Sequence, residues 1–143
     1  MQFSRKDEFH EYFVNKFGIP REVMEKYTFW QRGKKVWAFC GIPCTVEDVE
    51  ILGIRALKIS GDIKPSTVFL RVVGKHATRN VIDLNETDAM EFMRGKTISG
   101  KFDAERGYVI IRHNRDVLGC GFYTGSEIVS QIPKEYRVQD SWV

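Results

Sequence analysis

Apolar residues recur at helical spacing in Phe9, Phe13 and Phe17, with Gly18 directly behind them. That stripe predicts an amphipathic helix, opened by the capping-box-like Ser4-Arg5-Lys6-Asp7 and stopped at the glycine. Pro20 suits the first turn of a second short helix reaching Tyr27, where its missing N–H has no partner to lose. The period then changes. Thr28-Phe29-Trp30 and Val36-Trp37-Ala38-Phe39 flank Arg32-Gly33-Lys34, an aromatic hairpin with a glycine turn. Residues 55–59 and 68–73 alternate apolar and basic positions in the manner of half-buried strands, and Val81-Ile82-Asp83-Leu84 reads as another.

Asn85 is placed to cap a short helix over residues 86–93, closed by Arg94-Gly95-Lys96. Beyond it the pattern is almost wholly β. Residues 108–112 and 116–123 pair across His113-Asn114-Arg115, Gly125 turns the chain, and residues 128–132 precede Pro133 and a last strand near Tyr136-Arg137-Val138. One helix with several short strands suggests a small closed or half-closed barrel. The expectation is an α+β protein of two mutually packed units, residues 1–85 and 86–143. There is no internal repeat and no low-complexity linker.

A chain of 143 residues with 43% hydrophobic and 29% charged positions buries a real core. No apolar run approaches the ~20 residues of a membrane span and the N-terminus lacks a signal-peptide pattern, so the expected location is the cytoplasm. Cys40, Cys44 and Cys120 lack a disulfide-scaffold spacing and fit a reducing compartment.

Charge changes the picture more. Overall there are 22 Lys+Arg and 19 Asp+Glu, a net charge of +3. Residues 1–50 carry eight of each sign, and residues 81–143 carry eight basic against ten acidic. Between them, Arg55, Lys58, Lys64, Arg71, Lys75 and Arg79 are opposed only by Asp62. A second acid-free interval, 26–46, holds Lys26, Arg32, Lys34 and Lys35. Clustered cations attract polyanions even when the whole-chain charge is small, although solvated strand faces account for such runs equally well.

Other chemistry is weaker. Gly119-Cys120-Gly121-Phe122-Tyr123-Thr124-Gly125 approaches a dinucleotide fingerprint, but its third glycine is misplaced and no helix opening follows. Cys40 and Cys44 with His76 or His113 make a poor zinc set, and buried structural thiols are the preferred reading. Cys120 between two glycines, with His113 as base, lacks a third activating group. Phe29, Trp30, Trp37 and Phe39 read as hairpin core, with base stacking as the alternative. Gly119 and Gly121, one apart in a strand, indicate a bend or a close backbone approach.

The helix running into Met93-Arg94-Gly95-Lys96, then Gly107-Tyr108-Val109-Ile110-Ile111 and Val117-Leu118-Gly119-Cys120-Gly121, resembles a PUA domain, the small RNA-binding pseudobarrel. Upstream, Lys64-Pro65-Ser66-Thr67-Val68-Phe69-Leu70 leading to Val81-Ile82-Asp83-Leu84 resembles the pre-PUA α/β domain of the Nip-type ribosome-biogenesis factors. Ile132-Pro133-Lys134 after the glycine strand is similar to the PUA-like tail of the Sun-type RNA cytosine methyltransferases.

The resemblance implies an RNA surface formed by Arg94, Gly95 and Lys96 with Lys134 and Arg137, where glycine admits a phosphate or ribose and the flanking cations neutralise it. Gly95 as a plain helix cap is the competing reading. Because this half is mildly acidic, Arg71, Lys75, His76 and Arg79 are expected to extend the surface. The implied protein is cytoplasmic and non-catalytic, without metal or cofactor, and binds rRNA or tRNA during maturation. A partner RNA-modifying enzyme or pre-ribosomal particle is expected, and no membrane or DNA. The alternative is a specificity subunit presenting RNA to a separate methyltransferase.

Overall fold

The computed structural model describes residues 2–3, 8–40 and 53–139. Phe9, Phe13 and Phe17 form the buried stripe of α1 (Glu8–Phe17). Their rings interlock with Phe29 and Phe69, Phe13 stacking on Phe29 at 6.2 Å and meeting Phe69 edge-on at 5.2 Å. Gly18, at φ +62°, ends the helix with its N–H on the Val14 carbonyl. The second helix is a single turn, α2 (Arg21–Met24), and ends before Tyr27, where a strand begins. The proposed cap at residues 4–7 and Cys44 lie outside the described residues.

The first sheet is an antiparallel meander of β1 (Gln2–Phe3), β2 (Tyr27–Arg32), β3 (Lys35–Cys40), β4 (Ile54–Ser60) and β5 (Asp62–Pro65). A two-residue turn with Gly33 at φ +60° closes the aromatic hairpin. The strand expected over residues 68–73 is instead helix α3 (Thr67–Val73). Its β-branched residues favour a strand, but the Ser66 hydroxyl accepts from Phe69 N–H and caps a helix. As a helix it buries Thr67, Phe69, Leu70 and Val73 along one side.

The second sheet is curled, in the order β6 (Val81–Asp83), β8 (Gly107–His113), β9 (Asp116–Tyr123), β10 (Glu127–Ser130) and β7 (Ile98–Ser99), with only β6 parallel to its neighbour. Helix α4 (Glu86–Met93), capped by the Asn85 side chain, closes its inner side. Because β6 belongs to this sheet, the second sheet begins before Asn85. No helix among the described residues is long and apolar enough to cross a membrane.

The units share their centre. Ile110 and Cys120 join the phenylalanine core, whereas Val109, Ile111, Tyr123, Ile128 and Ile132 join a second core with Phe92. Thus β8 and β9 are buried on both faces. At the seam, Thr67 Oγ1 accepts from Cys120 N–H at 3.1 Å and Arg71 Nε donates to the Leu118 carbonyl at 2.8 Å. The α1 terminus is tied across as well: Phe17 O accepts from the N–H groups of Thr78 and Arg79, and Asn80 Nδ2 donates to Lys16 O at 2.7 Å. Those carbonyls would otherwise end unpaired.

The glycine strand makes this packing possible. A Cβ on Gly119 would lie 2.5 Å from Ile132 Cδ1 and 2.8 Å from Thr67, and one on Gly121 would lie 2.7 Å from Ile128 Cγ2. Gly119→Val and Gly121→Val are therefore expected to cost on the order of 1–3 kcal/mol in chemical denaturation, through displaced packing. A second test concerns Glu105. Its carboxylate sits below the usual range, chiefly because Asn80 Nδ2 donates to it, and then because Lys16 and Arg79 are near. A depressed acid stabilises above its unfolded pKa, and that contribution disappears as pH falls through the folded value. Urea midpoints measured between about pH 5 and pH 3 should fall less steeply for Glu105→Gln than for the parent.

Candidate functional site

At the end of α4 the chain forms a complete Schellman cap: Lys96 N–H bonds Glu91 O and Gly95 N–H bonds Phe92 O, with Gly95 at φ +86°. Ser130 Oγ also donates to Phe92 O, and Val138 N–H to Met93 O. The capping role expected as the competing reading for Gly95 is therefore present. It does not exhaust the residue's contacts. A Cβ there would lie 2.6 Å from Arg137 Nε and 2.8 Å from its Cζ, so the glycine lets the Arg137 guanidinium lie flat against the helix terminus. Arg137 Nε is spent on the Ile132 carbonyl at 2.9 Å, and neither Nη bonds another described residue.

The segment carrying Arg137 was expected to be a strand. It is a turn of 3-10 helix, Lys134–Tyr136, after Pro133. Its N–H groups bond Pro133 O, Lys134 O and Met93 O, and so find partners within the turn and on α4 instead of along a ladder. Tyr136 is thereby turned outward, 45% exposed, with the Arg71 guanidinium 5.8 Å from its ring centre. Beside it opens a cleft of about 430 Å³ between the two units, lined among others by Lys58, Lys64, Thr67, Gln131, Pro133 and Tyr136.

The expected site residues separate into groups. Gly95 and Arg137 touch, Lys96 and Lys134 are exposed, and Arg71 joins through Tyr136. Arg94 is held by Glu91 at 2.8 Å and is only partly exposed. Lys75 and His76 lie in the 3-10 turn Gly74–His76, beyond the far end of α3 from the cleft. Arg79 lines a different depression together with Asp103 and Glu105. Tyr136 was placed in the last strand and given no role of its own; the charged Glu135 and Arg137 on either side of it were the available signal.

The thiol chemistry fares differently. Cys120 is fully buried, and burial pushes its pKa up to about 12, so no thiolate forms at neutral pH. His113 is oriented away by its Nδ1 contact with Leu84 O at 2.8 Å. Phe29 and Trp30 are core, whereas Trp37 and Phe39 are half-exposed.

Comparison with known proteins places these features in a class. Residues 79–138 match a family profile described as the methyltransferase RsmF PUA domain, and residues 2–53 match a family of unknown function. A conserved PUA domain protein from Thermoplasma acidophilum shares the fold with a TM-score of 0.57 at 12% identity, over 94% of this chain and 96% of its own. Ribosomal RNA small subunit methyltransferase F from Aeromonas salmonicida is 34% identical over 62 residues, 43% of this chain and 13% of the relative. Its counterpart from Shewanella woodyi is 26% identical over 136 residues, 91% of this chain and 27% of the relative. This is a PUA-domain protein of α+β fold, resembling the tails of the Sun-type methyltransferases. The chain spans between about an eighth and about a quarter of the length of those relatives.

Gly95→Ala should cost about 1–2 kcal/mol from its left-handed backbone, with a further loss as Arg137 is displaced. Thermal melting of Gly95→Ala, Arg137→Ala and the double variant should show less than additive losses.

Proposed function

We propose that this chain is a non-catalytic RNA-binding module acting in rRNA maturation in the cytoplasm, with the end of α4 and the 134–137 segment as its RNA surface. The observation that carries the reading is the apposition of Arg137 and Gly95 within the region similar to the RsmF PUA domain. Gly95, with no side chain, leaves room for the Arg137 guanidinium, whose Nη groups bond no other described residue and suit a phosphate or ribose. Lys96 and Lys134 add exposed positive charge on either side. The non-catalytic assignment draws support from the buried, protonated Cys120. The division into units 1–85 and 86–143 is retained as a working description, with β6 contributed across it.

A second reading has its own observation. The relatives are rRNA methyltransferases in which a region like this one accompanies a much longer chain. On that reading the protein presents RNA to a separate methyltransferase. A methylation assay with and without the present chain, using rRNA and tRNA fragments, separates the two.

Binding to structured rRNA fragments should be electrostatic. With about four phosphates neutralised at ~0.7 per phosphate, raising salt from ~50 to ~200 mM weakens binding roughly fifty-fold. Lys96→Glu with Lys134→Glu should lower affinity at an unchanged melting temperature, since both side chains are exposed. A flat salt response, or equal affinity of the double variant, rejects the proposal.

A further inference from the structure

The first sheet carries an arrangement that the 134–137 segment does not explain. Arg32 pairs with Lys35, Lys35 with Lys58, and Lys58 with Lys64, so four consecutive strands place a cation at the same register position. Directly paired residues share one face of a sheet, and like charges set opposite one another destabilise it. With strands ~4.8 Å apart, the row runs about 14 Å. Lys35, Lys58 and Lys64 form no ion pair with any described residue. Among the described residues, Asp62 and Glu135 are carboxylates at its margin. Asp62 Oδ1 accepts from Ile63 N–H.

Two residues along β3 from Lys35, past the bulge after Val36, Trp37 stands opposite Arg55, whose guanidinium lies 5.8 Å from the indole centre. Trp37 is half-exposed and lines an open depression of about 610 Å³ with Arg32, Lys34, Lys35 and Lys58. Lys58 also lines the inter-unit cleft, where Tyr136 stands next to Arg137. The cationic row, the stacking pair and the cleft are therefore one continuous track ending at the proposed RNA surface.

We propose that this face of the first sheet is a second RNA contact that takes a single-stranded segment, phosphates along the cationic row and a base against Trp37 and Arg55. It rests on the reading that the chain binds RNA and adds the strandedness of the RNA and its path. Lys35, Lys58 and Lys64 gain counter-charge when a polyanion lies across them, and flat aromatic and guanidinium surfaces accept any base. An acidic protein segment would satisfy the charges but would leave the stacking pair unused.

The test uses the full chain and a fluorescein-labelled oligomer of about 12 uridines, read by anisotropy across a salt series. Lys35→Gln with Lys58→Gln should weaken binding roughly tenfold or more at ~0.1 M salt and reduce the log–log slope by ~1.4, two phosphates at ~0.7 each. Its melting temperature should stay level or rise, because opposed like charges are relieved. The unlabelled oligomer should quench tryptophan emission in the parent and not in Trp37→Leu; Lys58→Gln alone serves if Trp37→Leu does not fold. Parental affinity and slope in the lysine variants, alongside loss in Lys96→Glu with Lys134→Glu, would overturn the inference and leave the proposed function standing. Displacement of the oligomer by polyglutamate at equal concentration, without quenching, would also overturn it in favour of a protein partner. Absence of RNA binding by the parent removes both.

Discussion

The approach of β9 to its neighbours is the constraint on which the rest of the structure depends. At Gly119 and Gly121 the backbone lies so near Ile132, Thr67 and Ile128 that no side chain fits between them. Cys120, on the opposite face, fills the phenylalanine core. One strand thus serves two cores with a small residue on each side, and the two units cannot be separated without exposing both. Thr67 Oγ1 on Cys120 N–H, and Arg71 Nε on Leu118 O at the bulge, then fix α3 against the second sheet.

That docking positions the surfaces to which function is assigned. With α3 held, Arg71 reaches Tyr136, and the segment after Ile132 crosses from the inter-unit cleft to the α4 terminus, where Val138 N–H bonds Met93 O. The α4 end is built to be quiet: its last carbonyls are bonded and its glycine is covered by Arg137. The first sheet is the reverse, since its register sets like charges against one another. On the two proposals together, a hydrogen-bonded end adjoins a row of opposed cations in which Lys35, Lys58 and Lys64 form no ion pair with a described residue.

Burial also sorts the chemically active residue types. The Cys120 thiol, its pKa raised to about 12, is packing material, whereas Cys40, expected as a buried structural thiol, is exposed at the end of β3. Of the hairpin aromatics, Phe29 and Trp30 enter the core while Trp37 stays at the surface under Arg55. A single reading for all four was too coarse: Phe29 joins the phenylalanine core, whereas Trp30 and Trp37 are cross-strand partners on one face, where Trp30 is covered and Trp37 is half-exposed.

Local signals carried the sequence reading a long way. The Phe9-Phe13-Phe17 stripe stopped by Gly18, the Gly33 turn, the Asn85-capped helix over residues 86–93 and the strand over residues 116–123 were all legible, because a periodicity, a cap or a positive-φ glycine acts within a few residues. Residues 67–73 were not. Their β-branched composition points to a strand, and burial between β4 and β9 together with the Ser66 cap decides for a helix. The turn at residues 134–136 likewise depends on a hydrogen bond to α4, some forty residues earlier in the chain. Arg94, Gly95, Lys96, Lys134 and Arg137 were proposed for the RNA surface from the sequence, but the Gly95–Arg137 contact was not legible there. The acid-poor intervals 26–46 and 51–80 were countable from composition, whereas the alignment of Arg32, Lys35, Lys58 and Lys64 into one row across both was not. Charge is a property of the residue, while a row across four strands is a property of register, which turns and core packing set between segments distant in the chain.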